Sequence, residues 1–159
     1  MKRFLTVICV LAGLAALLLA PATAYASPPA AFSGTFAVGR IDVLDVRQAD
    51  GNMIVRQIEY GTLAGDVAGP FTFERTVIVH SNGEVNVHGI MTVAPASMLG
   101  RSGTYTQRID AKVTAGAIEG RLTSLSGTGD LANVHAQGTF AGVAGVAGTY
   151  SGQIHFDPD

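Results

Sequence analysis

The chain has 159 residues, with 10 Lys and Arg against 12 Asp and Glu and a net charge of −2. A near-balanced, slightly acidic composition excludes a nucleic-acid binder, which needs a basic face. No basic amphipathic helix for a membrane surface is present either, and a single cysteine, Cys9, excludes a disulfide framework.

Taken in chain order, the first element is not part of a fold. Lys2 and Arg3 precede an apolar run from Phe4 to Ala20, Pro21 breaks it, and Ala24-Tyr25-Ala26 is a small-x-small cleavage box. These are the parts of a secretory signal peptide over residues 1–26. The run is short for a membrane span. The expectation is a secreted, extracellular bacterial protein, free of the membrane after cleavage. Residues 27–30 read as a short flexible lead-in and 31–159 as a single domain. Without Lys2 and Arg3 the net charge moves from −2 to −4. A chain of this size can bury an adequate core without disulfides.

From Ala31 onward the pattern is strand after strand. Candidates are Ala31–Val38, Ile41–Arg47, Met53–Leu63, Phe71–His80, Glu84–Val93, Thr104–Val113, Ala117–Leu125, Val134–Ala141 and Thr149–Phe156. Gly, Asn or Asp punctuates the turns, as in Ala49-Asp50-Gly51-Asn52. Many short strands at even spacing predict an all-β sandwich or barrel.

Two hairpins specify their own register. Around Ser81-Asn82-Gly83, a three-residue loop with Gly83 left-handed pairs Val79 with Val85, Val77 with Val87, Phe73 with Met91 and Phe71 with Val93. A two-residue Asn-Gly loop would scatter polar groups onto both faces. Side chains alternate with period two, so a slip of one residue exchanges the faces. The first register buries far more apolar area, at roughly 25 cal/mol per Å², and uses a known loop geometry. In the second hairpin a four-residue loop, Thr114–Ala117, pairs Val113 with Ile118 and Ile109 with Leu122. Its wet face sets Lys112 against Glu119 and Asp110 against Arg121, charge pairs that fix register. Each hairpin therefore has one dry face and one wet face.

Gly-Thr-aromatic recurs four times, at Gly34, Gly103, Gly138 and Gly148. Glycine inside a strand weakens it unless the strand bends sharply or an aromatic ring packs over the gap. These positions read as barrel corners. Ala141–Gly148 is a small, low-complexity connection with no phosphate-loop features.

The stretch Ser126-Gly127-Thr128-Gly129-Asp130-Leu131-Ala132, followed by Gly138-Thr139-Phe140, resembles the C-terminal motif of small bacterial proteins with an allene oxide cyclase-like barrel. That group is related in fold to plant dirigent proteins. Gly61-Thr62-Leu63-Ala64-Gly65-Asp66 resembles its upstream Gly-x-Leu-x-Gly strand end. The resemblance spans roughly Phe32–Phe156 and rests on structural glycines. It implies a single antiparallel, approximately eight-stranded closed barrel, often a homo-oligomer, with an apolar cavity. In the plant enzymes the cavity steers a reactive epoxide into a ring, and dirigent proteins steer phenolic coupling. No residue matches either group's functional positions.

Candidate site residues come from polar groups on dry faces. Arg75 lies on the apolar face of the first hairpin, opposite Gly89, which leaves it room. Arg56 shares a face with Ile54, Ile58 and Tyr60, and Gln107 lies among Tyr105, Ile109 and Ala111. A few polar anchors in an apolar cavity are how small-molecule sites are built. The alternative is that the two arginines sit near a barrel mouth and reach water, or pair with a carboxylate. The candidate ligand-binding set is Arg75, Arg56, Gln107, Tyr105 and Tyr60. His80, His88, His135 and His155 lack metal-ligand spacing, so no metal is expected, and no cofactor motif occurs. His88 and Glu74 share a face without evidence of proximity, and proximity must precede acid–base chemistry. No catalytic residue is assigned.

The leading reading is a non-enzymatic secreted barrel that binds a small, mainly apolar molecule. The rivals are a cyclase or isomerase that needs little beyond a shaped cavity, and a surface module that works through its outer face.

Overall fold

The computed structural model describes residues 28–157; the signal-peptide reading of 1–26 lies outside them. Eight antiparallel strands form one closed ring in sequence order. They are β1 (Ala30–Ala49), β2 (Asn52–Gly65), β3 (Val67–Val79), β4 (Val85–Met98), β5 (Arg101–Thr114), β6 (Ala117–Gly127), β7 (Val134–Val143) and β8 (Ala147–Phe156). The expected all-β, eight-stranded barrel is therefore what forms. The two N-terminal candidates are one strand, β1, with bulges between Val38 and Arg40 and between Val43 and Asp45. The two irregularities account for the break in alternation that suggested two strands.

Both hairpin registers hold. Val79 faces Val85 and Phe71 faces Val93, with Gly83 at φ +86° and the His80 N–H donating to the Glu84 carbonyl. In the second hairpin Lys112 faces Glu119 and Asp110 faces Arg121. Its loop is tighter than four residues: Thr114 pairs with Ala117, leaving Ala115 and Gly116 at φ +50° and +82°. Two left-handed residues give the primed turn that matches strand twist.

Large rings fill the interior because glycines make room for them. Phe36 stands opposite Gly148, Tyr150 opposite Gly34 and Phe140 opposite Gly120. A Cβ on Gly148 would fall 2.6 Å from the Phe36 ring, and one on Gly34 would fall 2.1 Å from Tyr150 Oη. Two of the recurrent Gly-Thr-aromatic units thus interlock between β1 and β8, Gly34 seating Tyr150 and Gly148 seating Phe36. Phe36 and Phe140 then meet edge to face at 6.0 Å, a favourable ring geometry.

The β6–β7 connection closes one end of the ring. A short 3₁₀ turn, Gly129–Leu131, drives Leu131 fully into the core. Thr104 N–H donates to Thr128 Oγ1 at 3.1 Å, anchoring the turn to β5. Gly127 is obligatory here, since a Cβ would sit 1.9 Å from the Leu131 carbonyl oxygen. We expect Leu131→Ala to cost about 2–5 kcal/mol in urea unfolding. A loss under about 1 kcal/mol would show that the turn is not a plug.

The other end is less complete. β1 pairs with β8 only from Ala30 to Ala37, and Val38 N–H adds one bond to the Val146 carbonyl at 2.8 Å. Beyond that, β1 follows β2 alone, and among the described residues its outer edge has no sheet partner. Val43, Leu44 and Val46 are exposed there.

Candidate functional site

Apolar side chains line most of the barrel interior, but a polar group interrupts them at mid-height. β2 sends Gln57 and Glu59 inward, β3 sends Arg75, and β5 sends Tyr105 and Gln107. Register decides this. Phe73 on the dry face of β3 stands opposite Glu59, and Arg75 stands opposite Gln57. Residues directly opposite share a face, so the odd-numbered residues of this part of β2 look inward.

Arg75 Nη1 lies 2.5 Å from Glu59 Oε2, with the two side chains 8% and 6% exposed. Arg75 Nε donates to Gln57 Oε1 at 3.1 Å, and the guanidinium carbon stands 5.6 Å from the Phe73 ring centre. Gly89, opposite Arg75 on β4, could not carry a side chain: a Cβ would stand 2.1 Å from the Glu74 carbonyl oxygen. Burial pushes the Glu59 carboxyl above its usual range, and the Arg75 charge only partly offsets it. Burial also lowers Arg75, against the pull of Glu59. Desolvation outweighs attraction on both partners, the ordinary balance for a buried pair.

The rest of the polar cluster is under-partnered. Tyr105 is 2% exposed, and its hydroxyl has no hydrogen-bond partner. Burial pushes that phenol well up, so it stays a neutral donor. Gln107 Nε2 donates to Met91 Sδ at 3.2 Å, and a thioether is a weak acceptor. Glu59 Oε2 is ion-paired by distance yet receives no well-directed hydrogen bond. Buried polar atoms left in this state are uncommon.

Glu59, Arg75, Tyr105 and Gln107 all line one cavity, closed otherwise by apolar side chains such as Phe36, Phe140 and Leu122. Its volume is about 50 Å³. One water needs roughly 10–15 Å³, whereas drug-sized ligands occupy pockets of roughly 300–1,000 Å³. The cavity is thus a narrow slot for a few atoms, not an open bowl.

Three of the five residues expected from the sequence, Arg75, Tyr105 and Gln107, come together here. The other two do not. Arg56 is exposed and paired with Thr76 and Asp45. Tyr60 lies outside under the Arg40 guanidinium, 4.4 Å from its ring centre. The apolar Ile54, Ile58 and Tyr60 marked the wrong face of β2. That outer face carries enough apolar surface to mimic an inner one. Glu59 and Gln57 were missed for the same reason. One signal could have found Glu59: a buried arginine needs a carboxylate on an adjacent strand, and Glu59 is the one acidic residue of β2. Glu74 and His88 both lie exposed on the outer face, opposite Ile90 and Thr76 respectively, not each other.

No protein-family model matches the chain, and no curated protein matches it. Among solved structures, the fold is shared with a protein of unknown function from the DUF3224 family of Shewanella oneidensis MR-1. The TM-score is 0.69 at 18% identity, covering 82% of this chain and 100% of that one. At that identity the likeness establishes a common fold.

Proposed function

We propose that this is an exported barrel that holds a slim, mainly apolar molecule bearing one hydrogen-bonding group. The observation that carries the reading is the Tyr105 hydroxyl, fully buried, unpartnered and facing the cavity. Gln107 and the Glu59–Arg75 pair stand around the same space. A guest carbonyl or hydroxyl would supply the partner these groups lack, and apolar walls would take its remainder. Export is supported by Lys2, Arg3, the apolar run and the Ala24-Tyr25-Ala26 box. A guest larger than a few atoms must displace Phe36, Phe140 or the Ala144–Val146 turn near the less complete end.

Tyr105→Phe tests this cleanly. Removing an orphan hydroxyl leaves folding stability unchanged or raised, because no hydrogen bond is lost. The probe is 4-ethylphenol, one ring with one hydroxyl, titrated by NMR against the methyl signals of Met91, Ile109 and Leu122. Saturable shifts are expected in the native protein, with affinity about tenfold lower in Tyr105→Phe, the worth of one hydrogen bond of about 1.4 kcal/mol. Arg75→Leu should abolish binding if the cation anchors the polar group. Saturable binding that Tyr105→Phe and Arg75→Leu leave unchanged would place the guest elsewhere. Native mass spectrometry of protein from its own host adds the mass of any natural guest.

A second reading is a cyclase- or dirigent-like steering protein of the allene oxide cyclase-like type. Glu59 favours it. A carboxyl whose proton affinity burial raises, lining the same cavity as a phenol that stays protonated, is a candidate proton donor or acceptor. Such a protein would convert its guest, and product formation separates this reading from simple binding.

A further inference from the structure

We propose that His135, His155 and Asp157 form a binding site for a divalent transition-metal cation, with Zn²⁺ as the probe. The site is distinct from the interior cavity and lies on the outer wall of the barrel. Twenty residues separate the two histidines in sequence, so linear spacing conceals them. The β7–β8 ladder sets them directly opposite each other. Their rings stack at 4.9 Å between centres with 12° between planes. Parallel rings on adjacent strands project corresponding nitrogens the same way.

Asp157 follows the last residue of β8. Its backbone N–H donates to the Asn133 carbonyl at 3.0 Å, which holds the residue beside β7. Its carboxylate then reaches both imidazoles: Oδ2 is 2.9 Å from His135 Nε2, and Oδ1 is 3.7 Å from His155 Nε2. One ligating atom from each residue falls within 4.8 Å of the others. Atoms bound to one zinc ion at ~2.0–2.2 Å cannot stand more than about 4.4 Å apart. The set therefore needs to close by only about 1 Å, within the reach of exposed side chains on fixed strands. Among the described residues this is the one cluster of three such groups. His80 offers no rival site, since Asn52 and Asn86 occupy its two ring nitrogens.

The donor set selects the kind of ion. Two imidazole nitrogens and one carboxylate suit Zn²⁺ and its neighbours, whereas Ca²⁺ and Mg²⁺ ask for oxygen ligands. Three protein ligands on an open surface leave at least one position for water or an outside donor. Binding of the ion would replace the hydrogen bond between His135 Nε2 and Asp157 Oδ2. Metal binding would staple the two strands that precede and follow the low-complexity β7–β8 turn.

The test is calorimetric titration of tag-free protein with Zn²⁺, with Co²⁺ absorption as a readout of coordination. One ion per chain is expected. His135→Ala and His155→Ala should each weaken binding at least tenfold, since even groups behind the ligands shift affinity about 10–100-fold. All three side chains are 38–53% exposed, so the variants should melt like the native protein without metal. Zn²⁺ should raise the melting temperature of the native protein and not of the variants. Failure to saturate below about 1 mM, or binding that survives both histidine substitutions, overturns the site and shows that the cluster is an ion pair alone.

Discussion

Replacing Glu59 with leucine is expected to destabilise the barrel by about 3–5 kcal/mol, because it strands a buried arginine. Arg75 cannot shed its proton in compensation, since guanidinium stays charged under all ordinary conditions. The opposite single change should cost less. In Arg75→Leu the isolated Glu59 can take up a proton, and burial already pushes it that way. The double variant Glu59→Leu/Arg75→Met should be neutral or more stable by about 1–4 kcal/mol, as when other buried pairs are replaced by apolar groups. Urea unfolding of the four proteins measures the cycle. Equal losses in both single variants would mean that neither group changes protonation. The pH dependence has a definite sign. Glu59 is raised above its ordinary value of 4.5 in the folded chain, so the folded state holds the proton more tightly than the unfolded one. Its contribution to stability is full below that value and declines as pH rises through the folded one. The double variant should lack this decline. A pair that does not add stability has its worth elsewhere, and under the proposed function that worth would be to anchor the guest's polar group.

Gly34→Ala should cost about 3 kcal/mol or more, among the largest effects open to a single added methyl. The new Cβ would stand 2.1 Å from Tyr150 Oη and 2.2 Å from the Ala64 carbonyl oxygen. Tyr150 is not free to retreat. Its hydroxyl donates to the Val67 carbonyl, with the Ala64 carbonyl 3.1 Å away, and accepts from the Val67 N–H at 3.3 Å. The ring thereby ties β8 to the β2–β3 turn. Tyr150→Phe in the Gly34→Ala background should restore only part of the loss, because the ring carbon and the Ala64 carbonyl oxygen remain in the way. Full rescue would show that the hydroxyl alone dictates the glycine. Thermal or urea unfolding of the three proteins decides it.

What could be read without coordinates follows from where the information lies. The two central hairpins were legible because turn residues and cross-strand charges specify register locally, within about 25 residues. Arg75, Tyr105 and Gln107 were legible for the same reason, since each lies in one of those hairpins. β2 was not. Its turn to β3, Gly65-Asp66, does not reveal parity, and Ile54, Ile58 and Tyr60 make its outer face look like an inner one. Glu59 and Gln57 were lost with that choice, while Arg56 and Tyr60 were gained wrongly. The His135–His155 pair depends on β7 and β8 aligning across a connection of small residues that carries no register signal. The interlocking of Gly-Thr-aromatic units was visible as a repeat but not as partners, because Gly34 meets Tyr150 only when the ring closes.

The open upper edge of β1 has a consequence for solubility. A bare strand edge recruits other strands, and this one also bears exposed Val43, Leu44 and Val46. It carries its own deterrents. Arg40, Asp42, Asp45 and Arg47 alternate along it, and the two bulges spoil the straight row of donors and acceptors that a passing strand would need. The irregularities that made β1 hard to recognise as a single strand thus also deny a second strand the straight row of partners that edge pairing needs.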